Sequence, residues 1–156
     1  MNGSNNSLTI SKDSIDNDVI SIENPLEISV NSSYGNDKTI LMFDSTATLS
    51  YDMARDNHHF NNFLPYCDIF SKINNENYLL KYLPTFSDSI LVDIDFIAKH
   101  SGTYTLNFSY DNSLTNFQKI ILCDKQTNNS LVDFLIDSSY SLNTTQQLEE
   151  RHFTLK

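Results

Sequence analysis

Side chains that could bind a metal ion are concentrated in one polar stretch of the chain, between residues 51 and 64. The candidates are Asp52, Asp56, His58 and His59. Adjacent side chains of an extended segment point to opposite faces, so two neighbouring histidines do not converge on one ion. A zinc site needs three or four converging ligands. The pattern therefore favours a long surface loop, with room for one helical turn, whose carboxylates bind backbone amides. Calcium binding by Asp52 and Asp56 stays open.

Paired carboxylates that could serve as an acid and a base occur as Asp93 with Asp95, and as Glu149 with Glu150. Glycoside hydrolysis requires two carboxyl groups across a cleft, one with a raised pKa. Asp93 and Asp95 instead share a predicted strand face with Leu91, which indicates a solvated face near a sheet edge.

Other catalytic motifs are missing from the sequence. It has no G-x-S-x-G nucleophile motif, and its three glycines are too far apart for a phosphate-binding loop. We predict that the chain is not an enzyme, with no catalytic, cofactor-binding or metal-binding residues and no cofactor.

Alternation of apolar and polar residues is the main structural signal, and it is clearest over residues 102–110. One face carries Tyr104, Leu106, Phe108 and Tyr110, and the other carries Thr and Asn or Ser side chains. Such a segment buries one face and exposes the other. Short runs of this kind recur along the chain, and we predict strands over 18–22, 26–30, 39–43, 66–73, 78–83, 89–97, 103–110, 117–123, 131–136, 140–142 and 151–156.

The predicted fold is all-β: an antiparallel β-sandwich, jelly-roll-like, in one domain over residues 18–156. Residues 1–17 are polar and rich in Asn and Ser, and are predicted to form an N-terminal arm. Residues 74–77 are predicted to turn a hairpin between residues 66 and 83. Thr144 with Gln147 predicts a capping box for one helical turn before the last strand.

Composition restricts the partners. The chain has 156 residues, a formal net charge of −10 and a sequence pI of about 4.5. A surface that binds phosphates needs clustered Lys and Arg, and none is visible, so we expect neither nucleic acid nor a membrane as partner. No apolar run approaches the roughly 20 residues of a transmembrane helix. The first residues resemble no signal peptide, which predicts a protein retained by its cell or a piece excised from a longer one.

Two cysteines, Cys67 and Cys123, are too few for a disulfide framework. Cys123 lies in an apolar run and is predicted to be a small buried residue. A Cys67–Cys123 bridge stays open, because it requires that their strands face each other.

Glycan binding receives weak support from the sequence. Sugar-binding surfaces use exposed aromatic rings, and the chain has no Trp and eight Tyr, most at alternating positions that predict burial.

Several short segments of residues 39–156 resemble one β-sandwich module. It is found in bacterial surface proteins exported by the type IX secretion system, just before their C-terminal sorting domain. Residues 49–56 (LSYDMARD) resemble its GYDxxYDA segment, and residues 101–106 (SGTYTL) resemble its GTYTL strand. Residues 73–80, 121–127, 139–142 and 150–155 are similar to its hairpin, LxDxxTG, YxF and closing DRFxL segments. The second Tyr and several glycines of the module are replaced here.

The resemblance implies a non-catalytic sandwich that serves as a structural or display module, with Asp52 and Asp56 as a structural acidic pair. We therefore expect a structural or interaction protein with protein partners, in an oligomer or larger assembly. The first hypothesis is a decoration protein on the surface of a phage virion, an auxiliary capsid or fibre-associated component. The alternative is an accessory display or adhesion domain, with glycan as a weaker ligand candidate, on a bacterial cell surface or secreted.

Overall fold

The computed structural model describes residues 24–60, 65–85, 91–110, 119–125 and 129–155. The predicted arm and the predicted strand over 18–22 lie outside these residues. The described residues form strands and turns without a helix, so they contain no helix that could cross a membrane. The strands are β1 (Asn24–Asn31), β2 (Asn36–Phe43), β3 (Asn57–His58), β4 (Cys67–Ile73), β5 (Glu76–Leu83), β6 (Val92–Ala98), β7 (Gly102–Tyr110), β8 (Ile121–Asp124), β9 (Ser130–Asp133), β10 (Ser139–Thr144) and β11 (Glu149–Leu155).

The strands are hydrogen-bonded in the order β10-β7-β1-β2-β5-β4-β6-β11-β8-β9, with β3 paired to β5. This arrangement confirms the predicted all-β fold, and its sheet closes into a barrel-like or sandwich-like form. The pairs are antiparallel except β2 with β5, where Ile40 lies opposite Leu80 in parallel register. Between β1 and β7 the register places Ile28 opposite Phe108, which keeps the apolar side chains of both strands on one face.

The sheet divides at β5. β4 and β2 pair with the same edge of β5, β4 along its first residues and β2 along its last residues. The other edge of β5 is occupied by β3, where Asn57 lies opposite Leu80. Side chains replace the missing ladder between β2 and β4. Thr39 Oγ1 accepts a hydrogen bond from the Ser71 amide at 3.3 Å, and Asp37 Oδ2 accepts one from the Ile69 amide at 2.8 Å. Buried backbone donors are thereby satisfied at the fork.

The core lies between the two parts of the sheet. Tyr104, Leu106 and Phe108 of β7 are buried, as their alternation predicts. The ring of Tyr104 meets Phe96 of β6 edge to face, with ring centroids 5.1 Å apart. Phe153 is buried on the same side of the molecule, and the ring of Tyr140 approaches it at 6.5 Å. These contacts pack β7 and β10 on β6 and β11, so the apolar faces of both parts are removed from water.

The hairpin between β4 and β5 is confirmed, but its turn is shorter than predicted. Only Asn74 and Asn75 form it, with φ of 52° and 65°. Two consecutive residues with positive φ are typical of the type I′ turn, whose twist matches that of the flanking strands. Asparagine tolerates this conformation better than most residues with a side chain, which explains why asparagine occupies both turn positions.

The predicted end of one strand and a predicted helical turn were wrong. The strand predicted over 131–136 ends at Asp133, because the Asp133 carboxylate accepts the Leu135 amide at 3.1 Å and starts a turn. The capping box at Thr144 does not form either. Thr144 Oγ1 donates to the His100 carbonyl at 3.0 Å and so holds the neighbouring loop, and residues 146–148 form a turn in which Leu148 has a φ of 57°.

Candidate functional site

The polar stretch singled out by the sequence is a loop that connects β2 to β3 and extends past it; residues 44–60 are here called the clamped loop. It contains one helical-type turn, in which the amide of Asp56 donates to the Asp52 carbonyl at 2.8 Å. The two-residue strand β3 lies within it and was not predicted. Its conformation is held by buried and half-buried charges rather than by apolar packing alone.

A buried ion pair fixes the middle of the clamped loop to β5. Lys81 Nζ lies 2.6 Å from Asp56 Oδ2, and both side chains are 0% exposed. The ammonium also donates to the carbonyls of Ser50 at 2.9 Å and Thr48 at 3.3 Å. Three N–H groups thus have three acceptors, which meets the ammonium's full hydrogen-bonding capacity.

The Asp56 carboxylate is equally well paired. Besides Lys81, Oδ2 accepts the Asp52 amide at 2.8 Å, and Oδ1 accepts the Tyr82 amide at 2.9 Å. A buried charge pair is tolerated only when both partners have such additional bonds, because removing them from water is costly. This pair therefore acts as a structural lock between the clamped loop and the sheet.

Arg55 provides a second, more exposed anchor. Its guanidinium contacts Asp52 Oδ2 at 2.9 Å and Asp44 Oδ2 at 3.1 Å. Hydrogen bonding from Arg55, followed by that of the Ala54 amide, lowers the pKa of Asp52. Asp52 and Asp56 are thus engaged with protein donors, and the expected capping of backbone amides is confirmed.

The two adjacent histidines diverge, as expected for neighbours in extended chain. The ring of His58 stacks on Tyr51 with centroids 4.2 Å apart, and that of His59 stacks on Phe70 at 4.7 Å. The four residues considered as a metal site therefore do not converge: Asp52 binds Arg55, Asp56 binds Lys81, and each histidine has its own surroundings.

His59 belongs to a cluster that the sequence did not indicate. Its ring, Asp37 of β2 and Asp68 of β4 place one nitrogen and two carboxylate oxygens within 4.8 Å of one another. Burial raises the pKa of Asp37, and the nearby Asp68 carboxylate adds to the increase. The three residues are 22 and 9 positions apart and form no known motif, so only the position of β2 beside β4 in the fold reveals them.

Asp93 and Asp95 lie on the outer face of β6 with exposed Leu91, but the predicted solvation was wrong for Asp95, which is buried, and Asp93 is half-buried. The expected position near a sheet edge was wrong, because β6 lies between β4 and β11. Asp93 contacts Lys125 Nζ at 2.5 Å, and Asp95 contacts His152 Nδ1 at 2.8 Å.

An open depression of about 470 Å³ covers this face. It is lined by Lys72, Asn74, Asn75, Asp93, Asp95, Lys125 and His152. Each of its carboxylates faces a cation, so opposite charges compensate one another across the strands.

Large apolar side chains of the clamped loop are exposed to solvent. Met53 is 85% exposed and Phe60 77%, and Leu49 and Tyr51 are exposed as well. Most of the other tyrosines are buried or half-buried, as predicted; Tyr34 is exposed and stacks on His100. A loop with a fixed backbone and exposed apolar side chains is typical of a contact surface.

Both cysteines are free and buried. In the sheet, β6 and β11 lie between the strand of Cys67 and that of Cys123, so the two do not form the bridge that the sequence left open. Burial raises the pKa of Cys67 to about 12, with smaller contributions from Asp37 and Asp68. Cys67 is therefore an unreactive core residue, and Cys123 fulfils the prediction of a small buried side chain.

Comparisons with protein-family models, with curated proteins and with solved structures found no match to this chain.

Proposed function

We propose that the chain is a non-catalytic structural and interaction module that docks on a partner protein through the clamped loop. The observation that carries this proposal is the pairing of a fixed backbone with exposed apolar side chains. Lys81 anchors the loop to β5 through Asp56, and Arg55 links carboxylates within the loop. Met53 and Phe60 project into solvent. A preorganised loop loses little conformational entropy on binding, which favours its use as a contact surface.

The charge of the chain adds a second element of recognition. A net charge of −10 favours association with a basic partner surface, since complementary charge accelerates encounter. The proposed contact therefore combines apolar anchors in the clamped loop with long-range attraction to a basic partner.

A non-catalytic role is supported by how the acidic residues are used. Asp93 and Asp95, the strongest acid–base candidates, contact Lys125 and His152 on an open face. An acid kept protonated for catalysis is held in a desolvated site without such positively charged neighbours. The contacts of these carboxylates fit a charged outer surface.

The assembly we propose first is the surface of a phage virion, where the chain would decorate a capsid or fibre. The second candidate is an accessory domain of a type IX-secreted bacterial surface protein. Its support is the sequence resemblance over residues 49–56, and the ion pairs of Asp52 and Asp56 suit a structural acidic pair in that segment.

The test begins with mass spectrometry of purified phage particles and of the bacterial surface fraction. Detection in particles supports the first assembly, and detection only at the cell surface supports the second. The docking face is then tested with Met53→Lys and a matched control, Ile136→Lys, whose parent side chain is 79% exposed outside the loop.

Co-sedimentation with the assembly should be lost for Met53→Lys and kept for Ile136→Lys. The docking face would be refuted if both variants bound like the native protein.

A further inference from the structure

Three ligand-type side chains from separate parts of the chain meet where the sheet divides. Asp37 is the second residue of β2, His59 follows β3, and Asp68 is the second residue of β4. Their candidate ligand atoms all lie within 4.8 Å of one another. Asp68 is 1% exposed, and the other two are half-buried. This cluster is distinct from the exposed side chains to which docking is assigned above.

Two atoms of the cluster are buried without a hydrogen-bond partner among the described residues. They are His59 Nδ1 and Asp68 Oδ2. Lys99 Nζ forms an ion pair with Asp68 Oδ2 at 2.9 Å, in a geometry that makes no hydrogen bond. Asp68 Oδ2 therefore has a charge partner without a hydrogen bond, whereas His59 Nδ1 has neither, and a buried polar atom left unpaired costs about 1–3 kcal/mol. The unpaired nitrogen requires an explanation, and an ion bound between His59 and the two carboxylates provides one.

The positions of the three side chains are fixed by contacts of their own. The His59 ring stacks on Phe70, and its amide donates to the Asn77 carbonyl at 2.9 Å. Asp37 Oδ2 accepts the Ile69 amide at 2.8 Å. Carboxylate oxygens have lone pairs beyond one hydrogen bond, so Asp37 keeps coordinating capacity. The ligands are therefore preorganised, which lowers the conformational cost of binding an ion.

We propose that Asp37, His59 and Asp68 bind a divalent transition-metal ion, with Zn²⁺ as the expected occupant. An imidazole nitrogen with two carboxylates suits zinc, whereas Ca²⁺ and Mg²⁺ prefer oxygen ligands throughout. The two carboxylates supply negative charge that the ion compensates. Bound there, the ion links β2, β4 and the end of the clamped loop, so its role is structural.

Lys99 provides a test that distinguishes a metal site from a structural ion pair. Its ammonium lies against Asp68 and repels a second cation from the same carboxylate. Removing that charge with Lys99→Met should tighten Zn²⁺ binding, whereas the loss of a purely structural ion pair would leave Zn²⁺ binding unchanged. His58 provides the matched control, because it is adjacent in sequence and its ring stacks on Tyr51 instead.

The experiment uses the full chain stripped with a chelator and titrated with Zn²⁺ by calorimetry. Visible absorption of bound Co²⁺ reports the ligand field in parallel. We expect one equivalent of Zn²⁺ to bind. His59→Gln and Asp68→Asn should each weaken binding at least about tenfold, since even residues behind the ligands contribute that much. His58→Gln should stay within about twofold of native, and Lys99→Met should bind more tightly.

The metal-free unfolding curve of each variant shows whether it is folded before titration. Absence of saturable Zn²⁺ binding to the native chain would overturn the proposal. So would equal affinities of His59→Gln and the native chain, or weaker binding by Lys99→Met.

Discussion

Two polar clusters, one at Lys81 of β5 and one around His59 beside the fork of the sheet, differ in how completely their charged groups are paired. In the Lys81–Asp56 lock, the ammonium has three acceptors and the carboxylate has three donors. In the cluster around His59, one imidazole nitrogen and one carboxylate oxygen have no hydrogen-bond partner among the described residues. The charged atoms of the lock all have hydrogen-bond partners, whereas the cluster around His59 still has atoms that could contact a ligand.

The comparison also explains why the clamped loop can present apolar side chains. The lock fixes its middle, and the Asn77 carbonyl holds His59 near its end. Rigid placement of Tyr51 and Met53 follows from these anchors. A loop without them would collapse its apolar side chains onto the sheet, because exposed apolar surface is unfavourable in water.

The largest effect is expected from breaking the lock on one side. Asp56→Ala leaves the Lys81 ammonium buried without its counter-charge, and such a loss costs about 3–5 kcal/mol of unfolding free energy. Denaturant unfolding at neutral pH measures it. The matched control is Glu27→Ala, which breaks the exposed Lys38–Glu27 pair of 2.7 Å and should cost at most about 1 kcal/mol. Similar costs for the two variants would contradict the lock.

Removing both charges of the lock should cost less than removing one. Lys81→Met combined with Asp56→Leu eliminates the unpaired charge, and apolar replacement of a buried ion pair is often close to neutral. Full recovery is not expected, because the Ser50 carbonyl and the Tyr82 amide lose their partners. A double-mutant cycle in denaturant should show strong coupling between the two sites. Additive costs would show that Lys81 and Asp56 are not energetically coupled, which would contradict the lock.

The fold was predictable where the signal is local. The alternation over β7 placed Tyr104, Leu106 and Phe108 in the core, and the polar residues after Ile73 indicated the hairpin. The parallel register of Ile40 with Leu80 was not predictable, since strand pairing across 40 residues leaves no local pattern.

The sites were predictable only in part, because their chemistry is assembled by long-range pairing. The loop was recognised from its composition, but its partner Lys81 was not, although a lysine within the apolar run of β5 is a signal for a buried charge. Asp37 and Asp68 come from strands that meet His59 only through the fork of the sheet.

A smaller effect should distinguish the second cluster from the lock. Burial raises the pKa of Asp37, so the folded state favours its protonated form, and ionised Asp37 lowers stability as the pH rises above the ordinary value of 3.8. In chelator, Asp37→Asn should therefore be neutral or stabilising at pH 7, and less favourable at pH 3. Its amide oxygen can still accept the Ile69 amide.

Denaturant unfolding at pH 7 and pH 3 tests this sign. A loss greater than about 1 kcal/mol at pH 7 would mean that the Asp37 charge supports the fold, as the charge of Asp56 does.

The smallest effect concerns the exposed anchor of the clamped loop. Hydrogen bonding from Arg55 lowers the pKa of Asp52 below 3.8, so the Asp52 contribution is present above that pH and is lost as the pH falls through the folded value. Arg55→Gln should therefore flatten the acid side of the stability profile and change neutral-pH stability far less than Asp56→Ala.

Arg151→Gln is the control, because the lowered pKa of Glu149 depends first on the Thr145 amide and only then on Arg151. If both arginine variants flattened the profile equally, the acid sensitivity would be a general property of the surface and not of the loop. A larger change for Arg55→Gln would mean that charges at different depths hold the apolar side chains of the loop in place, from partly exposed Arg55 to fully buried Lys81.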